Sequence, residues 1–358
     1  MVKNMKNIIS FPHMANYCIP ANYLFSHIIN TEILIYPPIT NKTIELGSQY
    51  SPDFVCTPFK YTLGNYIESL EKKANILIQF GGGCRYGYYS ELQDKILKDL
   101  GYNFKMINLI TAGKINIKKI IKELKIINPK FSKIKGLYYL LITKKMVEYM
   151  DNIDDYIRKN IGFEKSKNSF ISLREEFLKK ISSTKGYINL KQIYKKYIKK
   201  FKNIEIEKPK NCLKVGIIGE LYTVMEPFSN YNLEYELAKK GVEITRFTNA
   251  TYLLFRKKKK VKKYLKKLKN IKYRMGADAL DNVYFTKWLC ENKYDGIIHI
   301  KSSFCTPEIS SMGIINKICK EYNVPIIFFS FSSNTSEVGI KTRLEAFYDM
   351  LEMRREHA

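Results

Sequence analysis

Over the first 115 positions, short apolar runs bounded by turn residues alternate with stretches of helical period. Asn7 to Phe11, Glu32 to Tyr36 and Asn75 to Phe80 read as strands, while residues 64–73 and 89–100 carry apolar side chains at the spacing of one helix face. That alternation predicts an α/β domain with a mainly parallel sheet. From 116 to 210 turn breakers become rare and lysine abundant. Ile171, Leu173, Phe177, Leu178 and Ile181 recur with a period near 3.6, so this region is expected to be helical. From 211 to 358 the first texture returns: Lys214 to Gly219, Glu243 to Phe247, Gly296 to Ile300 and Pro325 to Ser330 look like strands separated by helix-length segments, with a helix at the end. The segment 205–211, a proline among charges just before a strand, reads as a linker. The expected fold class is α/β, with two Rossmann-like doubly wound parallel-sheet domains and a helical segment between them.

Charge complicates this picture first. The chain of 358 residues carries 61 Lys and Arg against 34 Asp and Glu, a formal net charge of +27, which raises nucleic acid as a partner. Between Thr251 and Arg274 there are twelve basic residues and no acid, and a second basic run spans residues 191–202. Within these runs, however, Val261, Tyr264, Leu265 and Leu268, and Ile193, Tyr194, Tyr197 and Ile198, fall at helical spacing. Each run therefore reads as an amphipathic helix with a solvated lysine face. No zinc-finger spacing or RNP motif points to nucleic acid, which is set aside as a partner. No apolar run approaches the roughly 18 residues that a membrane span needs, and the first twelve residues hold only Ile8-Ile9 as an apolar pair. A cytoplasmic protein is expected, in which seven cysteines are too few and odd in number for a disulfide framework.

In open α/β sheets the functional groups collect where strands end and the chain turns toward a helix. After residues 75–80 comes GGGCRYGYY, after 214–219 comes ELYTVMEPFSN, and after 296–300 comes KSSFCTPE. Cys84 follows three glycines, and Cys305 precedes Thr306-Pro307, where a hydroxyl cap and a first-turn proline mark a helix start. Cys56 precedes Thr57-Pro58 in the same pattern. A thiol at a helix start faces the positive end of the dipole, which favours thiolate. Cys290 and Cys319 lie on helical faces among apolar residues, and Cys18 and Cys212 also read as packing residues. Three loop cysteines remain, Cys56, Cys84 and Cys305, separated by 28 and 221 positions, so only the fold could bring them together. Soft thiolates select zinc, copper or an iron–sulfur cluster, and a [4Fe–4S] group on three cysteines leaves one iron open. A redox thiol pair and plain structural cysteines are the alternatives. There is no Walker A ending, no GxGxxG, and no zinc-site histidine spacing; His299, within a strand, reads as a satisfied buried imidazole.

SFPHMANYCIP (10–20), SPDFVCTPFKYTLGNYIE (51–68), GGGCRYGYYSELQ (81–93), GELYTVMEPFSNYNLE (219–234), IIHIKSSFCTPEI (297–309) and FFSFSSNTSEVGIKTRLEAFYDM (328–350) together resemble the 2-hydroxyacyl-CoA dehydratase family, in particular its stand-alone members. The resemblance implies two Rossmann-like domains with a [4Fe–4S] cluster in the cleft between them, held by Cys56, Cys84 and Cys305, or a double-cubane variant on a similar set. It implies low-potential electrons from a separate ATP-dependent iron–sulfur activator, used for radical dehydration or reduction of a substrate such as an acyl-CoA, in a homo- or hetero-dimer. The alternative is a non-catalytic electron relay or cluster carrier. Lys60, Arg85, Glu220 and Lys301 neighbour the motif loops and are candidates to tune the cluster by hydrogen bonds. The chain departs from the family pattern at Ser302-Ser303-Phe304, where Pro-Phe-Gly-like residues are expected, and at Cys18, where an aromatic is usual. The first departure would stiffen the turn that delivers Cys305.

Overall fold

A computed structural model describes residues 7–29, 31–35, 38–111, 114–256, 261 and 275–357. The chain divides into two compact units, Met1–Lys145 and Met146–Ala358. Most of the basic run at 251–274, including Tyr264, Leu265 and Leu268, lies outside the described residues.

The first unit is built on a parallel sheet in the order β2-β1-β3-β4: β1 (Ile8–Ser10), β2 (Glu32–Ile33), β3 (Ile76–Gln79) and β4 (Lys105–Asn108). Because alternate residues of a strand face opposite ways, Ile76 and Ile78 join Ile9, Phe11 and Phe25 on one face, while Leu77 joins Leu63, Tyr66 and Leu97 on the other. The sheet is thus covered on one side by α1 (Cys18–Ile28) and α5 (Ile117–Ile127), and on the other by α3 (Thr57–Glu71) and α4 (Tyr89–Asp99). Both faces are buried, which is why the β3 strand IL-IQ is apolar for most of its length rather than alternating. A short antiparallel hairpin, β5 (Ile110–Thr111) and β6 (Lys114–Ile115), precedes α5.

The second unit repeats the plan with the order β10-β9-β7-β8: β7 (Lys214–Gly219), β8 (Glu243–Arg246), β9 (Gly296–Ser302) and β10 (Ile326–Phe331), all parallel. Val215, Ile217, Ile298, Ile300 and Phe329 pack with Leu237 of α10 (Leu233–Ala238) and Leu344 of the C-terminal helix, Glu337–Glu356. On the opposite face Ile218 and Ile297 meet Leu289 of α11 (Ala279–Glu291) and Ile315 of α12 (Thr306–Glu321). The two sheets are those of two doubly wound α/β domains, as the sequence pattern predicts.

Helices fill the intervening stretch: α6 (Lys133–Asn160), α7 (Ser169–Ser182) and α8 (Tyr187–Lys202). The basic run in α8 folds as expected for an amphipathic helix. Tyr197 and Phe201 are buried, Ile193 and Tyr194 half-buried, and Lys191, Lys195, Lys196 and Lys199 exposed. The Tyr149 and Tyr194 rings stack at 4.0 Å, and Phe170 and Phe201 pair at 6.1 Å, so aromatic contacts pin α6 and α7 to α8.

Candidate functional site

Strand order decides where a crevice opens. In the first unit the chain leaves β1 toward one edge and β3 toward the other, and in the second it leaves β7 and β9 in opposite directions. The carboxyl ends of β1 and β3, and of β7 and β9, therefore lie at topological switch points, where doubly wound sheets bind ligands. The loops carrying Cys84, Glu220 and Cys305 all follow switch-point strands.

In the first unit, β3 runs into Gly81–Gly83 and then Cys84, which heads the short helical turn Arg85–Tyr88 and, through it, α4. The Cys84 sulfur accepts the Tyr86 N–H at 3.4 Å. Cys56 is the residue immediately before α3, with Pro58 in the first turn, and its thiol is hydrogen-bonded to the Tyr89 hydroxyl. The Tyr86 and Tyr89 rings meet edge-on at 4.8 Å, and Tyr89 packs edge-on against Phe59 at 4.9 Å. Thus the starts of α3 and α4 converge, and both thiols engage one tyrosine-bearing segment, residues 86–89. Lys60 is half-buried one turn into α3, and Arg85 is exposed beside Cys84.

In the second unit the polar groups are more deeply placed. Glu220 follows β7 and caps the short helix α9 (Leu221–Met225), accepting from the Tyr222 N–H at 2.8 Å, the Thr223 N–H at 3.0 Å and the Thr223 hydroxyl at 2.6 Å. Burial pushes its carboxyl up, opposed by those donors and aided by the nearby Glu308 charge. Gly219, at φ +143°, must be glycine: a Cβ there would stand 1.8 Å from the Ile300 carbonyl oxygen of the neighbouring strand. Its peptide is held by Asn282 of α11, which accepts the Gly219 N–H at 3.2 Å and donates to the Gly219 carbonyl at 3.1 Å. The same amide donates to both oxygens of Glu308, at 3.0 and 2.9 Å. Glu308 in turn lies 2.7 Å from Nε2 of His299. Asn282, Glu308 and His299 are each at most 1% exposed.

His299 is therefore only partly satisfied, in contrast to the expectation: Nε2 is bonded, but Nδ1 is buried without a hydrogen-bond partner among the described residues. The pleat explains this, since a strand side chain has a fixed direction and the ring can reach the carboxylate on α12 through one nitrogen only. Two residues further along the same face, Lys301 is 4% exposed. Desolvation pushes its ammonium pKa down, against the pull of Cys305 and Glu308.

Cys305 is buried and is itself the residue before α12, so the cap position expected for Thr306 belongs to the cysteine; Thr306 and Pro307 form the first turn. The departure at Ser303 has a structural consequence. Its N–H and its hydroxyl both donate to the Phe331 carbonyl, at 2.9 and 3.2 Å, and the Cys305 N–H donates to the Ser302 carbonyl at 3.1 Å, so the loop is tied to the end of β10. The remaining cysteines pack as the sequence suggests. Cys290 and Cys319 share the core between α11 and α12, where the neighbouring thiol and burial push Cys319 far above the ordinary range. Burial likewise raises Cys212, and the Cys18 thiol donates to the Ala15 carbonyl at 3.5 Å. Among the described residues, no group of three or more His, Cys, Asp or Glu side chains is arranged to hold a metal ion. Cys56 and Cys84 belong to the first unit, and Cys305 belongs to the second.

Residues 259–351 match the family model of the 2-hydroxyglutaryl-CoA dehydratase D-component. The match supports the 2-hydroxyacyl-CoA dehydratase family. It covers α11, β9, α12, β10 and most of the final helix, and so includes Asn282, His299, Lys301, Cys305 and Glu308. No curated protein matches the chain. Within the matched region, sequence reading missed Asn282 and Glu308. The available signal was a polar Asp281-Asn282 pair near the start of a mostly apolar helical stretch, and a glutamate at the third position of a helix, which reads as a cap but turns instead to the histidine.

Proposed function

We propose that this chain is an iron–sulfur protein of the dehydratase type, in which Cys56, Cys84 and Cys305 together hold one cluster. The D-component match across the Cys305 loop carries the reading. The donor set fits: three cysteines outside any disulfide, each heading a helical segment, carry the soft thiolate ligands such clusters take. Bound there, the cluster would supply a one-electron reductant and an iron open to an oxygen ligand. Electrons would come from an ATP-dependent activator, and the substrate class is an acyl-CoA undergoing dehydration or reduction. The chain's own contribution is positional. The Gly219–Asn282–Glu308 bonds fix the loops after β7 and β9 against each other, the Ser303 bonds fix the Cys305 turn to β10, and Tyr89 orients the Cys56 thiol. Glu220 and Lys301 set the charge beside Cys305, and Lys60 and Arg85 are their candidates beside Cys56 and Cys84.

Anaerobic reconstitution followed by iron and sulfide assay and a visible spectrum tests this reading. The wild type should become brown and bind stoichiometric iron and sulfide. Cys56→Ala, Cys84→Ala and Cys305→Ala should each lose most of it, whereas Cys290→Ala and Cys319→Ala should retain it. A colourless, iron-free wild-type protein, or equal losses across all five variants, would overturn it.

A further inference from the structure

Among the described residues, Lys301 is a buried cation with no direct ion-pair partner. An ammonium has three N–H donors, yet at 4% exposure this one reaches a single acceptor, the Ser303 carbonyl at 3.5 Å, the outer limit of a hydrogen bond. Among the described residues no carboxylate is within ion-pairing distance of it. Glu308, the nearest candidate on the α12 side, has its oxygens taken by Asn282 and His299. A buried charge left in this state is unfavourable, and a neutral side chain of the same length would be tolerated better. Its location gives the imbalance a use. His299 and Lys301 are two apart on β9 and share a face, with Lys301 nearer the carboxyl end, beside Glu220 and Cys305 at the switch point between β7 and β9. His299 Nδ1, one pleat further in, is a buried polar atom without a hydrogen-bond partner among the described residues.

We infer that Lys301 is the contact for an anionic oxygen of a ligand that enters the β7–β9 crevice, the ligand oxygen completing the donor set the protein leaves open. The chemistry required is a carboxylate or phosphate oxygen, the latter including the phosphates of a coenzyme A thioester, and the chain supplies the cation in advance at a cost in its own stability. This goes beyond cluster ligation and is separable from it, because anion binding and melting report on Lys301 whether or not iron is bound.

The full-length protein, without iron and after reconstitution, is titrated calorimetrically with sodium butyrate, inorganic phosphate and acetyl-CoA at constant ionic strength. Butyrate reports a carboxylate source and inorganic phosphate a free phosphate, while binding of acetyl-CoA alone reports a phosphate that must be carried by a larger coenzyme A ligand. At least one should bind saturably to the wild type, and Lys301→Met should weaken that binding about ten- to hundredfold, as loss of one charge-assisted hydrogen bond does, with Lys301→Arg largely restoring it. Without ligand, Lys301→Met should melt above the wild type, the reverse of what loss of a structural contact gives. Lys301→Gln provides the same comparison if the methionine variant does not fold. Equal binding by wild type and Lys301→Met, no saturable binding of any probe to the wild type, or a lower melting temperature with iron lost as in the cysteine variants would overturn the assignment. The last outcome would make Lys301 a partner of the cysteine-bound group alone.

Discussion

Asn282 carries more of the second unit's site than any cysteine does. One side-chain amide ties both polar groups of the Gly219 peptide and both oxygens of Glu308, and through Glu308 it fixes the His299 ring. Truncation would leave several buried polar groups without partners, each costly. Asn282→Ala is expected to lower unfolding stability by about 2–4 kcal/mol in urea titrations. Asn282→Asp should be worse still, since it places a second carboxylate against Glu308 in a site at most 1% exposed. Glu220 shows a different balance: burial pushes its carboxyl up, and the three local donors from Tyr222 and Thr223 oppose that shift, so its charge is supported from its own helix start and not from across the sheet.

At the scale of elements, Cys56 is delivered by the packing of α3. That helix crosses α2 (Asn41–Tyr50) so closely that a Cβ on Gly64 would lie 1.9 Å from the Thr43 carbonyl oxygen. Backbone cannot yield as the tip of a flexible side chain does. Gly64→Ala should therefore separate the two helices and destabilise the protein by about 1–3 kcal/mol, as overpacking does, despite alanine's better helix propensity. A midpoint shift in chemical denaturation checks this; an unchanged or raised midpoint would mean that α2 moves away freely. Displacement of α3 should also increase the alkylation rate of Cys56 in the apo-protein, because its thiol would lose the Tyr89 hydroxyl.

Over the whole molecule, an excess of positive charge coexists with specific ion pairs that resist it. Asp154 of α6 receives both Nε and Nη2 of Arg174 on α7, at 2.6 and 2.9 Å. Burial alone would raise its carboxyl, but the Arg174 charge and hydrogen bonds, with Arg158 and Arg246 further off, hold it below its ordinary 3.8. For a carboxylate lowered on folding, the stabilisation is fully present above the unfolded value and disappears as pH falls through the folded one. The stability difference between wild type and Asp154→Asn should thus be constant, at about 1–3 kcal/mol, above pH ~5, and should shrink below pH ~3.8. Thermal melts across that range measure it, and a difference that grows on acidification would reverse the assignment.

What the sequence alone determined is what depends on neighbours along the chain. The apolar run of β7 was legible to the residue, the helices of the middle region were legible from their period, and the three cysteines were singled out because each lies between a strand or loop and a helix start. Local signals failed where burial is all-round or where an element is held by its edge. The Thr57-Pro58 pair marked the start of α3, but its first two turns, 57–63, showed no helical period because nearly every side of that helix is buried, which erases the amphipathic stripe. The short strand β4 and the hairpin after it have too few residues to show a period. Only the tertiary structure decided the strand orders, and with them the switch points. It also decided that Asn282 would meet Gly219 from 63 positions away and Glu308 from 26, and that Lys301 would be buried with no ion-pairing carboxylate among the described residues. Such contacts join groups whose separation in sequence carries no periodic trace, because they arise from the way a parallel sheet brings distant strand ends and helix starts to one edge.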